Sequence, residues 1–282
     1  MIEIKHSETA EFSLKIWGAR GSIPVSGKEY WAFGGNTISI QIRCGKTDLL
    51  FDAGTGIRNA TRALLAEGAT HFNLFFSHSH YDHIMGLPFF EPLFDPSFTA
   101  DIWAGHLHGR MTARQMIEDF IRPPWVDGKP TICEKRIKFH DFVPGQTLQP
   151  TKRLSIVTRG LKHPGGCVGY RVEFGGRSVA LVYDVEHEPG MLDPVALELM
   201  RKADLVVYDS AYLDEEMETY RGFGHSSWQQ GIRLANASCA KSIIFFHHMP
   251  TRTDADLLAI EYQARGLFPR SFTAREGMKM EL

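Results

Sequence analysis

Short apolar runs separated by glycine-rich turns set the rhythm of the first third of the chain. FSLKIW (12–17), TISIQIRC (37–44) and KTDLLFD (46–52) are β-branched or apolar and partly alternating, the pattern of half-buried strands. From Ile57 to about Glu67 the spacing predicts a helix that stops before Gly68. NLFFS (73–77) predicts a short buried strand that leads straight into a histidine-rich segment. Between Leu87 and Pro150 the pattern is irregular, interrupted by Pro88, Pro92, Pro96, Pro123, Pro124, Pro130 and Pro144, with one helix expected at RMTARQMIEDFI (110–121). The second half repeats the rhythm. After a strand near 154–158, VGYRVEF (168–174) and SVALVY (178–183) form a hairpin around Gly175-Gly176. A helix over 194–202 precedes the strand DLVVYD (204–209), a helix over 227–238 precedes SIIFF (242–246), and a last helix covers about 254–265. Strands alternate with helices in both halves, with a meander early in each, so mixed α/β layering is expected, not eight even βα units. No linker, low-complexity segment or short-period repeat divides the chain, and one domain over 1–282 is expected.

With 43% hydrophobic and 23% charged residues in 282, the chain can bury a sizeable core, which excludes a disordered protein. A net charge of -2 gives no general basic field, so tight binding of long nucleic acid through bulk electrostatics is not favoured, although a local basic patch stays open. Cys44, Cys133, Cys167 and Cys239 are scattered without a C-x-x-C pair and read as reduced, partly buried residues. MIEIKHSETAEF at the start has no apolar h-region, and no run approaches the ~18 apolar residues of a membrane span. A cytoplasmic protein without membrane partners is expected, and a homodimer stays open. GARGS, FGGNT and DAGTGIR contain neither a P-loop nor a complete dinucleotide-binding fingerprint, so no nucleoside triphosphate or NAD site follows from them.

The segment Ser77-His78-Ser79-His80-Tyr81-Asp82-His83 carries the strongest chemical signal. Histidine makes up 13 of 282 residues, so three within six positions, joined by an aspartate, form a concentrated donor set. Just after a strand, residues two apart point to the same side, so His78 and His80 can converge on one ion while Asp82 and His83 turn to a neighbouring position. Imidazole with carboxylate suits zinc, and also iron or manganese. Further metal-capable residues stand at later strand ends: His163 in the turn LKHPGG, Asp184 after SVALVY, and His247-His248 after SIIFF. Singly, each has an ordinary alternative as a loop, turn or cap residue.

Taken together, these residues resemble the metallo-β-lactamase-fold hydrolase superfamily, whose H-x-H-x-D-H pattern matches residues 78–83. GARGSIPVSG, FGGNT, LLFDAGTGIR, HSHYDHIMGLPFF and FFHHMPTRTD resemble the branch related to cyclic-nucleotide phosphodiesterases and RNase Z, from about Lys15 to Arg265. The resemblance implies a four-layer αβ/βα sandwich with a site for two divalent metal ions at one edge of two facing sheets. Zinc is the expected metal, with manganese or iron as alternatives. His78, His80 and His163 would hold one ion, Asp82, His83 and a late histidine the other, and Asp184 would bridge them. His247 follows the strand directly and is taken as that histidine, with His248 as the alternative. Asp52, in FDAGTG, matches a motif that supports the site without ligating, although a strand-ending polar residue before a glycine turn reads the same way. Asn36, in FGGNT, either faces the substrate or supports its turn.

Asp209-Ser210-Ala211-Tyr212 and Gly224-His225-Ser226-Ser227 resemble the paired acidic and histidine motifs of RNase Z-type phosphodiesterases. A histidine oriented by a carboxylate can protonate a leaving alkoxide near neutral pH. The alternative makes His225 a loop residue beside a helix-capping serine. Asp82, His225 and Asp209 are thus the residues expected in the chemistry, and hydrolysis of a small phosphodiester or cyclic nucleotide is the expected reaction. RNA-end processing, a lactonase or β-lactamase activity, and a non-catalytic ligand-sensing module are the rivals.

Overall fold

Two seven-stranded sheets face each other. In the first, β1 (Phe12–Gly18), β2 (Ser39–Cys44) and β3 (Thr47–Phe51) form an antiparallel meander. β4 (His71–Phe76), β5 (Thr99–Ala104) and β6 (Ile137–Asp141) then continue in parallel from β3. The second sheet repeats this plan. β7 (Thr147–Thr151), β8 (Leu154–Leu161), β9 (Cys167–Phe174) and β10 (Arg177–Val182) are antiparallel. β11 (Leu205–Asp209), β12 (Ile243–Phe246) and β13 (Ser271–Thr273) run parallel to β10. β14 (Lys279–Glu281) returns to the first sheet beside β1. The structure, a computed structural model, describes residues 11–126 and 132–282. Nearly all of the N-terminal segment read as lacking a leader (1–10 of it) and Pro130 lie outside the described residues.

Period-two alternation explains the layers. Leu49 and Phe51 of β3 point into the space between the sheets and pack with Phe75, Tyr170, Val172 and Leu181. Leu50 points the other way and joins Leu74, Phe76 and Ile102 beneath α1 (Ile57–Ala66) and α3 (Ala113–Phe120). α1 buries Ile57, Ala60, Thr61 and Leu64, the spacing of one helical stripe. α4 (Pro194–Met200), α5 (Trp228–Ser238) and α6 (Asp254–Leu267) cover the second sheet, giving the four-layer αβ/βα sandwich. Fully burying one such Leu or Phe stabilises the fold by roughly 1.5–3 kcal/mol.

The stretch 87–150 is more regular than its prolines suggest, since it contains β5, β6 and β7. β5 alternates half-buried and buried residues over only six positions, with polar Thr99 and Asp101 on one face, so it offers no aliphatic run. Pro150 sits in β7, which tolerates it as the edge strand of its sheet. The helix expected at 110–121 begins at Ala113, because the Thr112 side chain accepts from Gln115 N at 3.2 Å and caps it. β13 and β14, three residues each, were also beyond the pattern. All four cysteines are free thiols; Cys44 and Cys167 are buried and Cys239 is exposed. Among the described residues, no helix is long and apolar enough to cross a membrane.

Candidate metal centre

The parallel strands place their carboxyl ends on one edge of the sandwich, where ligand sites of layered α/β folds form. Asp52 follows β3, Ser77 to His83 follow β4, Asp184 follows β10, Asp209 ends β11 and His247 follows β12. His163 enters from the β8–β9 loop and His225 from the loop before α5. His80 occupies the residue before the four-residue helix α2 (Tyr81–Ile84), which turns Asp82 and His83 inward to buried positions.

Two groups of donor atoms result. Those of His78, His80, His163 and Asp184 lie within 4.8 Å of one another, and so do those of Asp82, His83 and His247. Asp184 Oδ2 stands between the groups, 3.4 Å from His78 Nε2, 3.7 Å from His163 Nε2, 3.5 Å from His83 Nε2 and 3.3 Å from His247 Nε2. Asp82 Oδ2 is 3.1 Å from His247 Nε2 and 3.4 Å from His83 Nε2.

The residues present fit metal ions. His78 Nε2, His83 Nε2 and Asp184 Oδ1 are buried with no hydrogen-bond partner among the described residues. Each such group costs about 1–3 kcal/mol unless something meets it. Asp52, Asp82, Asp184 and Asp209 are all buried here, so the centre demands positive charge. Burial opposes charge on His83, yet Asp82, Asp184 and Asp52 together hold its pKa well above the ordinary value. The same balance raises His247 through Asp184, and burial of Asp184 is outweighed by His247, His83 and His78, which hold it well below the usual range. Divalent cations satisfy that demand while leaving the histidines neutral.

Neighbouring groups fix the orientation of each side chain. Asp52 accepts from Ser77 N at 2.7 Å and Ser77 Oγ at 2.6 Å, and stands 2.9 Å from His83 Nδ1, leaving His83 Nε2 turned inward. His163 Nδ1 donates to Gly224 O at 2.7 Å. Ser22 N donates to Asp82 Oδ2 at 2.8 Å. Ser22, Asp52 and His247 have φ of 66°, 60° and 62°, a left-handed backbone that non-glycine residues keep only under constraint. Gly21 is needed because a Cβ there would come within 2.2 Å of the His247 ring. Spacing gave no signal for Ser22, Gly21 or Ser77.

The structure separates the two late histidines. His247 joins the cluster, whereas His248 Nε2 donates to Ala274 O at 2.9 Å and the ring meets Phe33 edge-on. Asn36 supports its turn: its Nδ2 donates to Glu276 Oε2 at 2.9 Å, and its carbonyl accepts from Ala19 N and Arg20 N. Ser227 caps α5 by accepting from Gln230 N, and His225 lies in the loop before it, as the alternative reading also had it. Its Nδ1 lies 3.0 Å from Asp209 Oδ2 and 3.9 Å from Asp184 Oδ2, with the ring stacked on His247. Asp184, His225 and His247 also form a third donor group within 4.8 Å, so the geometry suits His225 as proton donor or as ligand. A cavity of about 430 Å³ opens over these residues, with Ser22, Ser79 and Tyr81 in its wall and, among the described residues, no Lys or Arg lining it. A larger one, about 820 Å³, lies at His71, Asp101 and His140 and includes none of the cluster.

A ribonuclease Z from Bradyrhizobium sp. (strain ORS 278) is 23% identical over 317 residues, covering 94% of this chain and 98% of the relative. The metallo-β-lactamase fold protein YhfI from Bacillus subtilis superposes with a TM-score of 0.73 at 18% identity, over 97% of this chain and all of that one. A diphosphatase from the PhnP family superposes at 0.69 and 18% identity, over 96% and 97% of the two chains. The fold they share implies divalent metal ions. Residues 47–248 match the β-lactamase superfamily domain, so the chain belongs to that superfamily and is a metal-dependent hydrolase.

Proposed function

We propose that the chain hydrolyses small phosphodiesters using two divalent ions, one held by His78, His80 and His163, the other by Asp82, His83 and His247. Asp184 would serve as a ligand to both. The observation that carries this reading is the position of Asp184 Oδ2, at 3.3–3.7 Å from four imidazoles drawn from both groups. Imidazole and carboxylate donors favour zinc, with manganese or iron as alternatives. When bound, the ions supply Lewis acidity that activates water at neutral pH and neutralises charge on the phosphoryl oxygens.

The remaining work falls to the chain. Asp52 and the Gly224 carbonyl hold His83 and His163 in the tautomer that turns Nε2 inward. His225, oriented by Asp209, protonates the leaving oxygen. The names of the ribonuclease Z relative and the diphosphatase, both enzymes that act at phosphorus, support this choice of bond. A cavity of about 430 Å³ with no Lys or Arg among the described residues of its wall supports a small diester, such as a cyclic nucleotide, over a long polyanion. Processing of an RNA end is the second reading, favoured by the near-complete coverage of the ribonuclease Z relative.

Metal-replete protein tested on bis-nitrophenyl phosphate, cyclic nucleotides, a tRNA precursor and a lactone separates these readings. Turnover of the small diesters, abolished by chelation, is expected. Turnover of the lactone with none of the diesters overturns the proposal, and a precursor cleaved more efficiently than any small diester moves it to the second reading.

A further inference from the structure

Glu186 lies two residues past Asp184 and is buried. Its Oε2 accepts from two backbone amides, Gly222 N at 2.7 Å and Gly224 N at 2.9 Å, which flank the exposed Phe223. Its own amide donates to Lys162 O at 2.9 Å, the residue before His163. One residue therefore fastens three loops: its own, the one carrying His163 and the one carrying His225.

The fastening leads directly to the cluster. Gly224, held at its N–H by Glu186, offers its carbonyl to His163 Nδ1 at 2.7 Å. The opposite nitrogen, His163 Nε2, then lies 3.0 Å from His80 Nδ1 and 3.7 Å from Asp184 Oδ2. Only glycine fits this peptide, with φ at 88° and a Cβ that would stand 2.3 Å from His163 Nδ1. The next residue is His225. Two backbone amides donating to one side-chain oxygen fix the peptide between them, so this grip suits an anchor.

We propose that Glu186 is a positioning residue that sets His163 for metal binding and His225 for proton transfer through the shared Gly224 peptide. The inference rests on the metal-site reading above. Its test is read without substrate: metal-free wild type, Glu186→Ala and Glu186→Gln are titrated with Co²⁺ by visible absorption, with circular dichroism to verify folding. Glu186→Ala should bind one Co²⁺ more weakly by about 10-fold, the lower end of the cost of losing the partner behind a ligating histidine, because the Gly224 carbonyl loses its anchor but is not removed. Glu186→Gln should stay close to wild type, because its amide oxygen can accept the same two bonds. If Glu186→Ala does not fold, Glu186→Asp takes its place, since it keeps the charge but draws the oxygen back by one methylene; it should weaken Co²⁺ in the same direction. Unchanged Co²⁺ affinity in the folded variant, or equal losses for Ala and Gln, overturns the inference. If wild type binds two Co²⁺ and the variants differ as stated but no diester is hydrolysed, the phosphodiesterase reading fails and the role of Glu186 stands.

Discussion

His225 Nδ1 lies 3.0 Å from Oδ2 of Asp209, a fully buried carboxylate at the end of β11 that also accepts from Val185 N. As the proposed general acid, His225 would act on the leaving group, so its loss should depend on what leaves. His225→Ala should keep its metal and slow release of a ribose alkoxide by roughly 10²–10⁴-fold, with a smaller loss for a nitrophenolate, which needs little protonation. Asp209→Asn should show a milder loss in the same direction. Rates for both leaving groups, measured with metal content, check this. Equal losses would remove the acid role, and lost metal would assign His225 to the third donor group.

His247→Ala should strip one ion and most of the activity, while His248→Ala should cost mainly stability. His247 Nε2 faces Asp82 and Asp184, whereas His248 is bonded to Ala274 O. Elemental analysis of the two variants decides, and reversed phenotypes would sink the assignment.

Wild-type protein should carry about two ions per chain, and chelation should lower its Tm. Free metal at a hundred times Kd stabilises a site by about 2.7 kcal/mol, so the shift should be readily measurable. One ion or fewer after metal-replete expression would contradict the two-ion site.

Acid should weaken the fold through His106, which follows β5. Burial, then Arg110, pushes its pKa down to about 3 from the ordinary 6.5. The unfolded chain therefore binds a proton below about pH 6.5 that the folded chain refuses until about pH 3. Stability falls with pH across that window, by up to about 1.4 kcal/mol per pH unit from this group. Unfolding free energies between pH 6.5 and 4 should show a shallower slope for His106→Leu, and an unchanged slope would exclude the residue as a contributor.

Most of this centre was legible because apolar runs stop where its polar residues begin. Asp184 terminates SVALVY and His247 terminates SIIFF, so strand ends could be read as site positions without knowing the sheet order. What joins them was hidden. His80 and His163 are brought together by facing sheets, and no local pattern specifies that pairing. The choice between His247 and His248 depends on the left-handed backbone at His247, a property of one dihedral angle rather than of residue type. Glu186 left no trace because its partners are main-chain amides, which look alike in every sequence. β5 and β7 escaped notice because an alternating six-residue strand and a proline-bearing edge strand both lack the aliphatic run that marks a central strand.

The distance along the chain between the proposed ligands has a consequence for how the enzyme comes into being. Asp82 and His247 meet across 165 positions, and His80 and His163 across 83. Closing loops of that length around an ion, before any strand has paired, carries a chain-entropy penalty that only the assembled sheets can offset. Small zinc modules, with ligands a few residues apart, use metal to begin folding. With the proposed ligands so far apart, the order would be inverted: the sandwich would form first and metal would enter a folded chain. Metal supply would then set how much of the folded protein works, while each ion bound would also add to its stability.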